Sequence, residues 1–147
     1  MSDFFRPASI GEAVRILAEK QPGVIAGGTD MMIRLREGPR PAAIMDISGL
    51  DILKSISMNS RELVIGALVT HAELAISDEI DEFAPGLAMA ARVVGSPQIR
   101  NMGTIGGNIA NASPAADLLP PLYALNATVD ILSAGGRRTI PVSEVFV

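Results

Sequence analysis

The segment from Gln98 to Asp117 constrains this chain more than any other. It sets Gly103, Thr104, Gly106, Gly107, Asn108, Ser113 and Asp117 among short apolar residues and shows neither a helical nor a strand repeat. Such a segment is shaped to bring something close to its backbone. Glycine admits positive φ and puts no Cβ between an amide and a guest, so successive N–H groups can converge on an anion such as a phosphate or diphosphate. Taken singly, each glycine is better explained as a tight turn in a β-rich fold. The ligand reading gains from a second loop, Val24, Ile25, Ala26, Gly27, Gly28, Thr29, Asp30 and Met31. There an apolar strand runs into two glycines, and a hydroxyl and a carboxylate then open a short helix reaching Arg36. Free amides at a helix start hold anions without a basic side chain. The same residues also serve as a plain turn with Thr29 or Asp30 as N-cap.

The remaining punctuation divides the chain. Ser9-Ile10-Gly11-Glu12 has the form of a capping box, and it predicts a helix from Ile10 to Lys20 stopped by Pro22-Gly23. Strand Val24 to Ala26, the short helix and a strand from Ala43 to Met45 make a β-helix-β unit with two parallel strands. From Ile52 the pattern turns to short strands, with a hairpin over Lys54–Met58 and Leu63–Gly66. Thr70-His71-Ala72-Glu73 repeats the capping-box form and carries the only histidine, which is expected to be exposed at the cap and inert. Asp78 to Glu82 reads as a solvated acidic patch ahead of a buried helix, Pro85 to Val94, that packs through Leu87, Met89, Ala90 and Val93. Arg100 either faces phosphate or binds nearby carbonyls. Leu118 to Leu125 is a short apolar segment, and Thr128–Leu132 with Arg138–Val142 forms a last pair of strands about Gly135-Gly136. The chain stops within the apolar run ending at Val147, which leads us to expect truncation or a half-module.

Ala26-Gly27-Gly28-Thr29-Asp30 and Thr104-Ile105-Gly106-Gly107-Asn108, followed by Ala112-Ser113-Pro114-Ala115-Ala116-Asp117, resemble the two flavin-binding signatures of the FAD subunit of molybdenum hydroxylases. That family includes the medium subunit of carbon monoxide dehydrogenase and the FAD domain of xanthine dehydrogenase. The likeness runs from Phe5-Arg6-Pro7 through Ile65-Gly66-Ala67 and Thr70 to Leu74, so it covers nearly the whole chain. The resemblance implies an α+β, two-lobed FAD-binding domain of the PCMH, vanillyl-alcohol-oxidase-like type. A small β-α-β lobe over residues 1–50 would be followed by a mostly antiparallel β lobe with helices over 51–147. It further implies that the loop Val24 to Met31 binds one side of the FAD diphosphate, and that Thr104, Ile105, Gly106, Gly107 and Asn108 bind the other side and approach the flavin. Val94 would sit against an FAD ring and Asp117 would hydrogen-bond the cofactor, while Asp117 read without the family is a cap for the segment after it. Family flavoproteins continue past the position of Val147, so flavin contacts from that later sequence are absent here. The implied role is electron relay from iron–sulfur clusters through FAD to an acceptor such as NAD⁺ or oxygen. Its partners would be an iron–sulfur subunit and a molybdopterin-binding large subunit, which carry the 2Fe-2S clusters and the molybdenum cofactor.

Composition narrows the field further. A net charge of −4, one tyrosine and no tryptophan give nucleic acid neither an electrostatic footprint nor a stacking platform. The lack of cysteine excludes disulfides, thiolate metal sites, iron–sulfur clusters and cysteine nucleophiles, so redox chemistry requires a bound cofactor. No G-x-G-x-x-G, P-loop, nucleophile elbow or H-E-x-x-H is present. No metal ligands or classical catalytic residues are therefore assigned. The apolar share of 48 % against 19 % charged suggests surface reserved for a partner or for further sequence. No apolar run nears the roughly 20 residues of a membrane span, and the N-terminus lacks a secretory signal, making the cytoplasm the expected location. Two alternatives stay open beside the molybdenum-hydroxylase reading. One is a related single-chain flavin reductase of the same fold, such as a UDP-sugar enoyl reductase, and the other is a non-catalytic scaffold fragment unable to hold FAD alone.

Overall fold

The structure is a computed structural model in which residues 2–113 and 115–145 are described. Pro114 of the second signature, and Phe146 and Val147 of the terminal apolar run, lie outside the described residues. The first part is built on a three-stranded parallel sheet of β1 (Asp3–Phe5), β2 (Gly23–Ile25) and β3 (Ala43–Asp46), in the order β1-β3-β2. Val24 lies opposite Met45 and Phe4 opposite Ile44. The β2–β3 pair is the parallel pair expected from the sequence, and β1 is a third strand that only tertiary pairing defines. Helix α1 (Ile10–Lys20) begins where Ser9 Oγ accepts from the Glu12 amide at 3.2 Å, while Glu12 reaches back to the Ala8 amide at 2.8 Å. It ends at Gln21, left-handed at φ 45°. Ala13 and Ile16 of α1 pack with Met45, Leu50 and Leu68 in one core. Leu68 comes from beyond residue 50, so this core draws on both parts of the chain.

A second core gathers α3 (His71–Ile76), α4 (Asp78–Phe83), α5 (Pro85–Val93) and α8 (Leu119–Ala124) around Leu74, Ile80, Leu87, Ala88, Ala91 and Leu118. Antiparallel pairing is confined to two ribbons, β4 (Ile56–Met58) with β5 (Leu63–Ile65) and β6 (Thr128–Ser133) with β7 (Gly136–Pro141). Residues Asp78 to Phe83 form a helix capped by Ser77 and anchored by the fully buried Ile80. The acidic patch is thus the outer face of α4 rather than a lead-in to α5. Helix α5 buries Leu87, Ala88 and Ala91 but leaves Met89 63 % and Val93 69 % exposed, contrary to the expectation that both pack inward. Leu87, Ala88 and Ala91 share the buried face of α5, which packs against α3 and α4, and Met89 and Val93 lie off that face.

The segment Gln98–Asp117 also departs from expectation, because it contains two helices, α6 (Pro97–Met102) and α7 (Ile105–Asn111). Ser96 caps α6 and Thr104 caps α7, each hydroxyl accepting the amide three residues on. Helices of six and seven residues are too short to display a repeat. Among the described residues, no helix is long and apolar enough to cross a membrane.

Candidate functional site

The two glycine loops meet. A Cβ built on Gly27 would lie 1.7 Å from the Met102 carbonyl oxygen, so the backbone of the first loop rests directly on the end of α6. Helix α2 (Met31–Glu37) leads away from the first loop and α7 from the second. Between them opens a cleft of about 600 Å³. Its walls include Val24, Ala26, Gly27, Gly28, Thr29, Asp30, Met31, Val94, Thr104, Gly106, Gly107, Asn108 and Asp117. Ile25 and Ile105 are the expected site residues that do not line it. Ile105 is buried in the helical core, and Ile25 pairs with Asp46 in the sheet.

The loops differ in what they offer a guest. Among the described residues, the amides of Gly27, Gly28, Thr29 and Asp30 donate to no acceptor. Asp30 occupies the N-cap of α2 but makes no side-chain cap bond. Gly28 turns the chain at φ +75°, a conformation costly for any residue with a Cβ. The second loop is closed by contrast. The Ile105 amide donates to Val69 O and that of Gly106 to Ala67 O, each at 2.9 Å; Gly107 and Asn108 donate to Thr104 Oγ1 and O. Only the Thr104 amide in that loop is without an acceptor among the described residues. The paired open nests expected from the sequence are therefore one open nest and one capped helix start.

The glycines of the second loop serve mainly internal packing. A Cβ on Gly106 would lie 2.6 Å from Ala67 O, and one on Gly103 would lie 2.9 Å from His71 Cδ2. Gly103 makes room for the histidine, whose own amide donates to Gly103 O at 3.0 Å. His71 is consequently 3 % exposed, not the exposed cap residue expected. No local pattern announces this, since the glycine that admits the ring lies more than thirty positions away. Burial holds the imidazole neutral and its pKa below the ordinary value, against the opposing pull of the Asp117 and Asp30 carboxylates.

Among the described residues, two buried polar atoms, His71 Nδ1 and Asn108 Oδ1, have no hydrogen-bond partner, and both residues line the cleft. Each such atom costs about 1–3 kcal/mol, and a guest with its own polar atoms would relieve that cost. Arg100 donates to Val94 O and Gly95 O, both at 3.0 Å, so it ties the α5–α6 turn and does not line the cleft. Asp117 lines the cleft and α8 has no side-chain cap, which removes its reading as a cap. Among the described residues no cluster of acidic or histidine side chains could hold a metal. The arrangement suits a long, mostly neutral guest with an anionic centre: open amides on one side, a glycine wall opposite, and apolar Val94 and Ile99 beyond.

Residues 1–147 match the family described as FAD binding domain in molybdopterin dehydrogenase. The nicotinate dehydrogenase FAD-subunit of Eubacterium barkeri is 36 % identical across 98 % of this chain and 50 % of its own length. The xanthine dehydrogenase FAD-binding subunit of Escherichia coli O157:H7 is 36 % identical across 97 % of this chain and 50 % of its own. Among solved structures, a chain of carbon monoxide dehydrogenase from Hydrogenophaga pseudoflava superposes with a TM-score of 0.94 at 33 % identity, over 99 % of this chain and 52 % of that one. The chain spans about half the length of the curated relatives it matches.

Proposed function

The chain belongs to the family of FAD-binding domains in molybdopterin dehydrogenases, and on that premise we propose that the cleft between its two glycine loops holds FAD. The observation that carries this reading is the row of four open amides, Gly27 to Asp30, along one wall of the cleft. Those donors would hold the diphosphate without a basic nest. Thr104, Gly106 and Gly107 form a wall with little side chain, and Asn108 and His71 supply polar atoms that lack partners among the described residues. Val94 offers an apolar surface for a ring, and Asp117 offers an acceptor at the rim.

A flavin held there would supply one- and two-electron redox chemistry. This chain's own residues would bind and orient the cofactor and shape its polarity, and no acid or base of the chain enters the chemistry. In the assembled enzyme we propose that electrons come from iron–sulfur clusters of a partner subunit, after a molybdopterin-binding large subunit has oxidised substrate, and leave to an acceptor such as NAD⁺ or oxygen. The division into a first lobe to residue 50 and a second beyond it belongs to the same reading, with the cleft as the seam. The half-length match favours a second reading as well, in which this portion forms the diphosphate side of the pocket and the remaining length of the relatives completes it.

Titration of the chain with FAD, followed by quenching of flavin fluorescence, tests the proposal. Saturable uptake of one FAD per chain is expected. A well-folded chain that takes up no FAD overturns the self-sufficient site and leaves the completed-pocket reading.

A further inference from the structure

The cleft is short of positive charge. Its charged side chains among the described residues are Asp30, Asp117 and Arg34. His71, which also lines it, is held neutral by burial, and Arg100 is turned away onto the α5–α6 carbonyls. A diphosphate entering here would meet two carboxylates, and only the first loop has a run of open amides. The helix starts add little, since α2 and α7 have seven residues each and the first amides of α7 are already bonded.

Arg34 stands on α2, on the cleft wall, and its Nη2 donates to Asn111 Oδ1 at the end of α7. That bond links the two helices that flank the cleft. It engages one N–H group of a guanidinium that carries five in a planar fork suited to phosphate oxygens. Both side chains are solvated, so exchanging the Asn111 amide for an anion costs little.

We infer that Arg34 is the residue that reads the phosphate charge of the cleft's ligand, leaving Asn111 to engage the anion and thereby setting preference for a diphosphate-bearing flavin over a phosphate-free one. The inference rests on the flavin reading above and adds a specificity-determining side chain to it. Arg34 acts on the ligand's charged centre and has no part in electron transfer.

The test compares FAD with riboflavin, which has the same ring system but no phosphate, on the wild type, Arg34→Met, Arg34→Lys and Asn111→Ala, at low and high salt. Losing one charge-assisted hydrogen bond at a solvated site should weaken FAD binding about tenfold in Arg34→Met. Riboflavin affinity should stay unchanged, and the salt dependence of FAD binding should flatten. Arg34→Lys should recover part of the loss, and Asn111→Ala should bind FAD at least as tightly as wild type. Arg34→Met that binds FAD as wild type does, or that loses riboflavin and FAD equally, overturns the inference while leaving the flavin site standing. Wild type that binds neither flavin overturns the self-sufficient flavin site and this inference with it.

Discussion

Gly27→Ala should separate the two loops. The added Cβ would lie 1.7 Å from Met102 O, 2.5 Å from Met102 C and 3.0 Å from Gly103 N. Contacts under 3.0 Å are essentially never seen for a real Cβ, so the loops must part by at least 1.3 Å, the difference between 3.0 Å and 1.7 Å. The atoms in the way are backbone, which cannot rotate aside as a side-chain tip would. The cost should reach the upper end for overpacking, about 3 kcal/mol, and lower the melting temperature by roughly 10 °C in a chain of this size. Gly28→Ala is the control one residue on. Its Cβ would meet Met32 Cγ at 3.5 Å and Ile25 Cγ2 at 3.6 Å, both ordinary contacts, so only the strain of φ +75° remains. That strain is about 1–2 kcal/mol, or roughly 3–6 °C. Thermal melts by circular dichroism and FAD titrations on both variants give the comparison. A Gly27→Ala protein that melts within about 2 °C of wild type and binds FAD equally well refutes the loop-on-loop contact and the cleft built from it.

Three further outcomes follow from other contacts. His71 has a lowered folded pKa, so as pH falls below about 6.5 the unfolded chain takes up the proton first and stability drops until the folded pKa is passed. Urea unfolding between pH 5 and 8 should show that slope, and His71→Gln should remove it. Burial pushes the Asp46 carboxyl up, but bonds from Ser48 and Arg6 outweigh it and hold the pKa below the ordinary value. Its contribution is therefore full above about pH 4 and is lost as pH falls through the lowered folded value; Asp46→Asn should flatten acid unfolding in that range. Thr70→Ala removes the hydroxyl that accepts the Glu73 amide in the capping box of α3. It should cost about 1 kcal/mol in chemical denaturation, and Thr70→Ser should restore most of it.

Features that were legible in the sequence are local ones. The Ser9 and Thr70 capping-box patterns mark α1 and α3, the short runs Lys54–Met58 and Leu63–Gly66 mark the β4–β5 hairpin, and the strand-to-glycine-to-helix pattern marks the first loop. The paired signatures also identify the family, and the fold gathers the expected site residues other than Ile25 and Ile105 on one cleft. The missing parts depend on residues distant in sequence. Strand β1 is three residues long and exists through its pairing with β3. The burial of His71 depends on Gly103, and the closure of the second loop depends on the carbonyls of Ala67 and Val69. The outward turn of Met89 and Val93 depends on which face of α5 meets α3. The Arg34–Asn111 bond joins positions 77 apart, which no local pattern can link. An open nest and a filled one look alike in a string of glycines, and only the fold separates them.

The most direct test of the flavin site is backbone amide mapping by NMR on the ¹⁵N-labelled chain as FAD is added. The largest shift changes should fall on Gly27, Gly28, Thr29 and Asp30, whose amides are open, and on the side-chain amide of Asn108. The amides of Gly106 and Gly107, already bonded within the protein, should move less. Saturable binding whose shifts avoid residues 26–30, or uniform movement of both loops, would contradict an anion site made by the first loop.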